Sequence, residues 1–261
     1  MTYFSSALVL SGSTPAELAN KAILAYDNRL ETVPFTVSSS DSAYPASNLA
    51  NRSTAYFWKA ATAGTITITV TNGSQPIDYI GIARHNLNQL GKSLEILFDG
   101  VTVFGPAIPS ANQAILFSFS EASPTTVTIR ITGGAANALI GYLAIGHAIR
   151  LQRGIYVGHT PMPFGRDRRI VNGLSENGQY LGELVVRETN KTQVSLQNLT
   201  PDWYRSELDP FFAARPPCFF AWRPETYADE VSFCWIEGEP KVSNQRSNGM
   251  MQASFQLRGI V

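Results

Sequence analysis

The chain has 261 residues, enough for one large all-β domain or two of ordinary size. Its 44% hydrophobic against 15% charged residues exclude a disordered chain. The formal net charge is zero, so no global field directs it to nucleic acid or anionic lipid.

At the start, Ala7-Leu8-Val9-Leu10 is too short for a signal-peptide core and has no Lys or Arg before it. No stretch approaches the roughly 18 apolar residues of a spanning helix. The expectation is a chain made in the cytoplasm without a signal peptide or membrane insertion. Thr14-Pro15-Ala16-Glu17-Leu18 predicts a short helix over about 15–21, within an N-terminal segment 1–24.

From 25 to 152 the period is two. Thr65-Ile66-Thr67-Ile68-Thr69-Val70 and Thr126-Val127-Thr128-Ile129-Arg130-Ile131 alternate strictly, each a strand with one face in a core. Leu94–Phe98, Val101–Phe104, Ala114–Phe119 and Leu139–Ile145 are further strands. Asp99-Gly100 predicts a tight hairpin between two of them, because it supplies positive φ. Tyr79-Ile80-Gly81-Ile82-Ala83-Arg84-His85 is echoed by Tyr142-Leu143-Ala144-Ile145-Gly146-His147, as neighbouring core strands would be. The fold class is mainly β: an N-terminal antiparallel jelly-roll β-sandwich, followed by a C-terminal β-sandwich with one flanking helix.

Around Arg150–Gly165 glycines, prolines and arginines enter a charge-poor chain, which places the boundary of a second domain, 153–261. Strands are predicted at Gly182–Glu188, Thr192–Leu196, Cys218–Trp222, Val231–Glu237 and Met250–Leu257, with Lys241–Gly249 a loop. Thr200-Pro201 caps the best helix, about 201–213, stopped by Pro216-Pro217.

Catalytic constellations are missing. The histidines are His85, His147 and His159; none sits in HExxH, and there is no GxSxG or phosphate-binding loop. The carboxylates of the first domain are scattered over turn-like positions, where a glycosidase needs two facing a cleft. Cys218 and Cys234 lie in aromatic strand contexts without CxxC spacing or adjacent histidine, so buried free thiols are expected and no metal site. Neither an enzyme nor a cofactor is expected.

Binding of a saccharide needs an aromatic platform and planar polar groups, for which Tyr56 and Trp58 with Arg52 and Asn48 are candidates, and His85 beside Arg84 and Asn86 is another. Aromatics at such density in a sandwich are more often core. The run Arg166-Asp167-Arg168-Arg169 with Arg150 and Arg153 upstream is the most uneven charge in the chain. Arg150, Arg153, Arg166, Arg168 and Arg169, with Trp203, are the interface candidates, since arginine pairs bidentately with a neighbour's carboxylates.

Tyr44-Pro45-Ala46-Ser47-Asn48-Leu49, the Tyr56-Phe57-Trp58 run and Ile77-Asp78-Tyr79-Ile80-Gly81-Ile82-Ala83-Arg84-His85-Asn86-Leu87 follow one another in an order that resembles the discoidin-like, galactose-binding jelly-roll domains of phage tail proteins. In the second half, Gly178-Gln179-Tyr180-Leu181-Gly182-Glu183, Asp209-Pro210-Phe211-Phe212 and Cys218-Phe219-Phe220-Ala221-Trp222-Arg223-Pro224 resemble siphophage distal tail or minor tail (baseplate) proteins, in which a β domain with one helix builds a ring. The domain order is the reverse of the usual distal tail order. The resemblance implies a virion structural component at the tail tip, a homo-oligomeric ring of three or six copies joining the tail tube to hub, tape-measure and tail-fibre proteins. The alternative is a receptor-binding adhesin that recognises host-surface glycan through the N-terminal domain.

Overall fold

The strict Thr/Ile alternation builds one half of a sandwich, as its period requires: Ile66, Ile68, Val70, Val127, Ile129 and Ile131 are all fully buried, while their threonine neighbours face outward. A computed structural model describes residues 2–4, 8–10, 21–245, 247 and 249–260. The helix expected at about 15–21 lies, apart from Lys21, outside the described residues.

Strands β1 (Thr2–Phe4) and β2 (Leu8–Leu10) form a hairpin. β3 is Ile23–Ala25, β4 Phe35–Val37, β5 Trp58–Lys59, β6 Ile66–Thr71 and β7 Ile77–His85. Then come β8 (Ser93–Phe98), β9 (Val101–Ala107), β10 (Ile115–Ala122), β11 (Thr126–Thr132), β12 (Leu139–Gly146) and β13 (Ala148–Arg150). The remainder comprises β14 (Arg166–Leu174), β15 (Tyr180–Leu199), β16 (Cys218–Ala221), β17 (Val231–Asn244) and β18 (Met251–Ile260). A five-stranded antiparallel sheet, β4-β6-β11-β8-β9, faces a four-stranded one, β10-β7-β12-β5, across a core that includes Ile68, Ile96, Ile129, Ile80, Ile82, Leu143 and Ile145. Asp99 (φ 48°) and Gly100 (φ 83°) make the turn from β8 to β9, both with the positive φ of a type I′ turn. The echoed segments are hydrogen-bonded neighbours, with Tyr79 opposite Gly146 and Ala83 opposite Tyr142.

Those two strands are buried on both faces, because a third layer covers them. A seven-stranded sheet, β13-β3-β16-β17-β18-β15-β14, draws β3 from before the sandwich and β13 from after it. The sandwich is therefore inserted into the second unit, and β3 and β13, placed by the boundaries near 24 and 152 outside that unit, belong to its sheet. Three-residue strands are too short to display a period.

The sheet's faces divide strictly by alternation. Leu24, Cys218, Phe220, Cys234 and Phe255 pack on one side with Leu208, Phe211 and Phe212 of the helix. Ile23, Ala25, Phe219, Ala221 and Phe233 pack on the other against Tyr79, Ala83, Leu116, Tyr142 and Ala144, the outer face of the four-stranded sheet. The layers are helix, seven-stranded sheet, four-stranded sheet and five-stranded sheet. The helix-flanked sheet expected of the second half is present, and the layer it stacks on is the sandwich itself.

The helix α1 runs through Pro201–Trp203, a π turn at Tyr204–Leu208, and Asp209–Ala214. Pro210 has no N–H to offer the carbonyl one turn back and its ring crowds that carbonyl, which accounts for the widened turn. Arg215 in the left-handed region (φ 46°), followed by Pro216-Pro217, ends it. Two expectations are corrected. β17 continues through Lys241–Asn244, read as loop because its outward positions are polar. The arginine run at 166–169, where the sequence predicts no strand, belongs to strand β14, whose exposure on both faces hides the alternation.

Lys92 is fully buried, and its ammonium donates to the carbonyls of Ala63 (2.9 Å) and Gly133 (2.6 Å), tying three loops at one end of the sandwich. Burial lowers its pKa.

Candidate functional site

β14 and β15 pair from Arg166 opposite Asn190 to Leu174 opposite Tyr180, while β18 joins β15 only from Asn190 onward. Beyond that point the two strands project as a ribbon of about 25 Å, at roughly 3.3 Å per residue. Val171, Leu174, Tyr180, Leu181, Leu184 and Val186 on it are each 53% to 69% exposed. Val171 stands directly opposite Leu184, and Ile170 opposite Val185 one residue away, so apolar pairs point to both faces. A two-stranded ribbon is marginal in water on its own, and its apolar faces and open edges seek a partner.

The root of the ribbon is held. Asp167, Lys191, Arg258 and Glu237 come one from each of β14, β15, β18 and β17. Arg258 reaches Asp167 and Glu237 at 2.6 Å each, and Lys191 reaches both at 3.3 Å. The hydrogen bond from Arg258 holds the Asp167 carboxyl below the usual carboxylate range. Further out, Arg168 pairs with Glu188 at 3.0 Å. Arg169 stands opposite Arg187, both exposed.

The structure separates the other interface candidates from this group. Arg166, Arg168 and Arg169 are on the ribbon, but Arg150 is on β13, the opposite edge of the sheet, donating to Ser118 Oγ at 2.8 Å. Arg153 donates to the Asn198 carbonyl at 3.2 Å, and Trp203 packs half-buried against the core beneath α1. The apolar residues of the ribbon were not among the candidates. Their signal was two short apolar runs, Ile170-Val171 and Leu184-Val185-Val186, flanking a Gly-containing turn.

The saccharide candidates fare unevenly. Trp58 is fully buried in the sandwich core and presents no face to a ligand, a correction that follows from its place in β5 opposite Ile140. His85 is also corrected: it is 5% exposed, with Nε2 2.7 Å from the Gln113 carbonyl and Nδ1 accepting the Leu87 N–H. Asn48 is half-buried and donates to the Phe57 carbonyl at 3.0 Å. Arg52 is exposed and bidentate on Glu31 at 2.9 and 2.8 Å. Tyr56 is 58% exposed, near a stacked Tyr44–Phe57 pair with the Lys59 ammonium 5.6 Å from the Tyr44 ring centroid.

Elsewhere, a cavity of about 560 Å³ opens between β15, β17 and β18, lined by Ser195, Gln197, Lys241, Ser243, Gln252 and Ser254 with no aromatic ring. Cys218 and Cys234 are buried free thiols, directly opposite in β16 and β17. Among the described residues no group of three or more His, Cys, Asp or Glu is placed to hold a metal ion.

No protein-family model and no curated protein matches the chain. Solved structures do. The chain is similar to the family 32 carbohydrate-binding module from C. perfringens NanJ in complex with galactose, at 15% identity over 49% of this chain and 99% of that one, with a TM-score of 0.40. It is similar to a Streptococcus pneumoniae fucose binding module at 11% identity, covering 46% of this chain and 95% of that one, TM-score 0.40. A chitosan-binding module from a Paenibacillus sp. IK-5 chitosanase/glucanase is similar at 14% identity, over 46% and 98%, TM-score 0.37. These likenesses carry no correspondence between binding residues.

Proposed function

We propose that the chain is a non-catalytic assembly protein of a long-tailed bacteriophage's tail tip, which oligomerises through the projecting β14–β15 ribbon while its sandwich faces neighbouring components. One observation carries this: an apolar ribbon exposed on both faces, rooted in an ion network that keeps it extended from the sheet. The resemblance of the surrounding sequence to distal and minor tail proteins supplies the setting, a ring between tail tube and hub. A ring needs two different complementary surfaces on each copy, and permanent interfaces bury well over about 1,000 Å² in total.

The test shortens the ribbon by replacing 171–184 with a two-residue Asn-Gly turn, leaving the ionic root in place. Native mass measurement is expected to find an oligomer of three or six copies for the unaltered chain and a folded monomer for the shortened one. An unaltered chain that is monomeric and joins no tail-tip complex overturns the reading.

A second reading rests on Tyr56, which presents its ring to solvent on the same loop region as the exposed Arg52. Here the sandwich binds a host-surface saccharide. Titration against a panel of cell-wall and capsular saccharides is expected to show binding that Tyr56→Ala weakens by about tenfold, since a stacked ring contributes on the order of 1 to 2 kcal/mol. Unchanged affinity in that variant, with binding otherwise present, rules out this location.

A further inference from the structure

The seven-stranded sheet ends in two edges with different surroundings: exposed arginines on the β14 side, and acidic side chains of the neighbouring four-stranded sheet beside β13. On the β14 side, Arg169 and Arg187 face each other across the ladder, with Arg166 beyond them, all exposed and without an ion pair among the described residues. Like charges directly opposite in a ladder disfavour the pairing that holds them there, and a carboxylate bridging both guanidinium groups removes that cost. Beside β13, acidic side chains of β7 and β10 gather around His147. His147 Nδ1 lies 3.5 Å from Asp78 and 3.9 Å from Glu121, and the His147 backbone N–H donates to the Asp27 carboxylate at 3.4 Å. The Glu121 side chain is 61% exposed, and the nearby Arg150 is engaged with Ser118. Among the described residues neither edge has a further strand paired to it.

Two identical β14 edges brought together side by side set arginine against arginine. A β14 edge set against the β13 edge brings the arginines to Glu121 on the adjoining β10, and because the two surfaces differ, the contact repeats from copy to copy and closes into a ring where the rotation between copies allows it. We propose that the ribbon of one copy seats on the β13 edge of a second copy, with Arg169 and Arg187 taking the Glu121 carboxylate. This rests on the assembly reading above and adds the partner surface to it. The apolar ribbon faces supply buried area, and the ionic contact sets direction and register.

Charge exchange on the full-length chain tests it, read by analytical ultracentrifugation at low salt. Arg169→Glu with Arg187→Glu is expected to weaken self-association by about a hundredfold and Glu121→Arg alone by about tenfold. The three changes together are expected to restore it to within about tenfold. All the altered side chains are exposed, and circular dichroism confirms that each variant is folded. Loss without rescue by Glu121→Arg overturns the proposal, as does rescue by Glu183→Arg instead, which indicates ribbon-to-ribbon pairing. No effect of the arginine reversals, with the ribbon-shortened chain monomeric, overturns this contact and leaves the assembly reading standing. A ribbon-shortened chain that associates like the unaltered one, or an unaltered chain that is monomeric, overturns both.

Discussion

Replacing Gly81 by valine is expected to destabilise the protein by about 3 kcal/mol or more, the cost of forcing a side chain into a packed interior. Gly81 lies in β7 where the four-stranded sheet meets the seven-stranded one, and a Cβ there would stand 2.3 Å from Phe219 Cε2 and under 3 Å from two further ring atoms. The ring cannot yield. Phe219 is fully buried, with Phe233 at 5.3 Å and Tyr142 at 6.2 Å between ring centroids. Phe219→Ala alone is expected to cost about 3 to 5 kcal/mol through the cavity it leaves. In that background Gly81→Ala is expected to cost far less than it does alone, because the three nearest atoms to its Cβ, all of the Phe219 ring, have gone. Denaturant midpoints of the original protein, Gly81→Ala, Phe219→Ala and the double variant measure the coupling. A Gly81→Val protein as stable as the original would show that these layers do not stack as described.

The second large effect is a loss of stability in acid that runs through His85. Burial lowers its pKa from 6.5 to about 4, against a smaller upward push from the Gln113 carbonyl. The hydrogen bonds agree with a neutral ring: Nε2–H donates to Gln113, and Nδ1 accepts from Leu87, which a proton on Nδ1 would prevent. The unfolded chain takes up the proton near pH 6.5 and the folded one only near 4. Stability is therefore complete above about pH 6.5, falls as the pH drops, and levels off below about 4. The full loss is up to about 3 kcal/mol, at 1.36 kcal/mol per pKa unit. His85→Gln, which keeps a donor for Gln113, is expected to flatten that part of the profile. Unfolding curves between pH 7 and 4 decide it; a variant with the unaltered acid slope would place the titrating group elsewhere.

His85 also shows where reading the sequence falls short. As a polar residue between Arg84 and Asn86 at a strand end, it looks like a surface ligand. It is buried because β10 pairs on one side of β7 and β12 on the other, and because Gln113 meets its ring. Trp58 is the same case in the aromatic class. Burial of either depends on which strand lies opposite, a fact with a sequence separation of tens of residues. Arg52 and Tyr56 remain exposed on a loop whose ties, Asn48 to Phe57, Arg52 to Glu31 and Arg84 to the Thr54 carbonyl, leave no strand above it.

Where side-chain period and turn chemistry act locally, the sequence determined the outcome by itself: the Thr/Ile strands β6 and β11, the Asp99-Gly100 turn, the α1 that starts at Pro201 and stops before Pro216-Pro217, and the pairing of the echoed strands β7 and β12. The Thr200 side chain does not cap α1 and accepts from Gln152 instead. Only the tertiary structure decided that the sandwich is inserted into the seven-stranded sheet, that this sheet covers β7 and β12 on their second face, and that 166–186 stands out as an apolar ribbon. The reason is physical. A strand's period reports that one face is buried but not what buries it, and three-residue strands such as β3 and β13 carry no period at all. Their place in the sheet comes from hydrogen bonds to residues far along the chain, Ile23 with both Arg150 and Ala221, which no local pattern encodes.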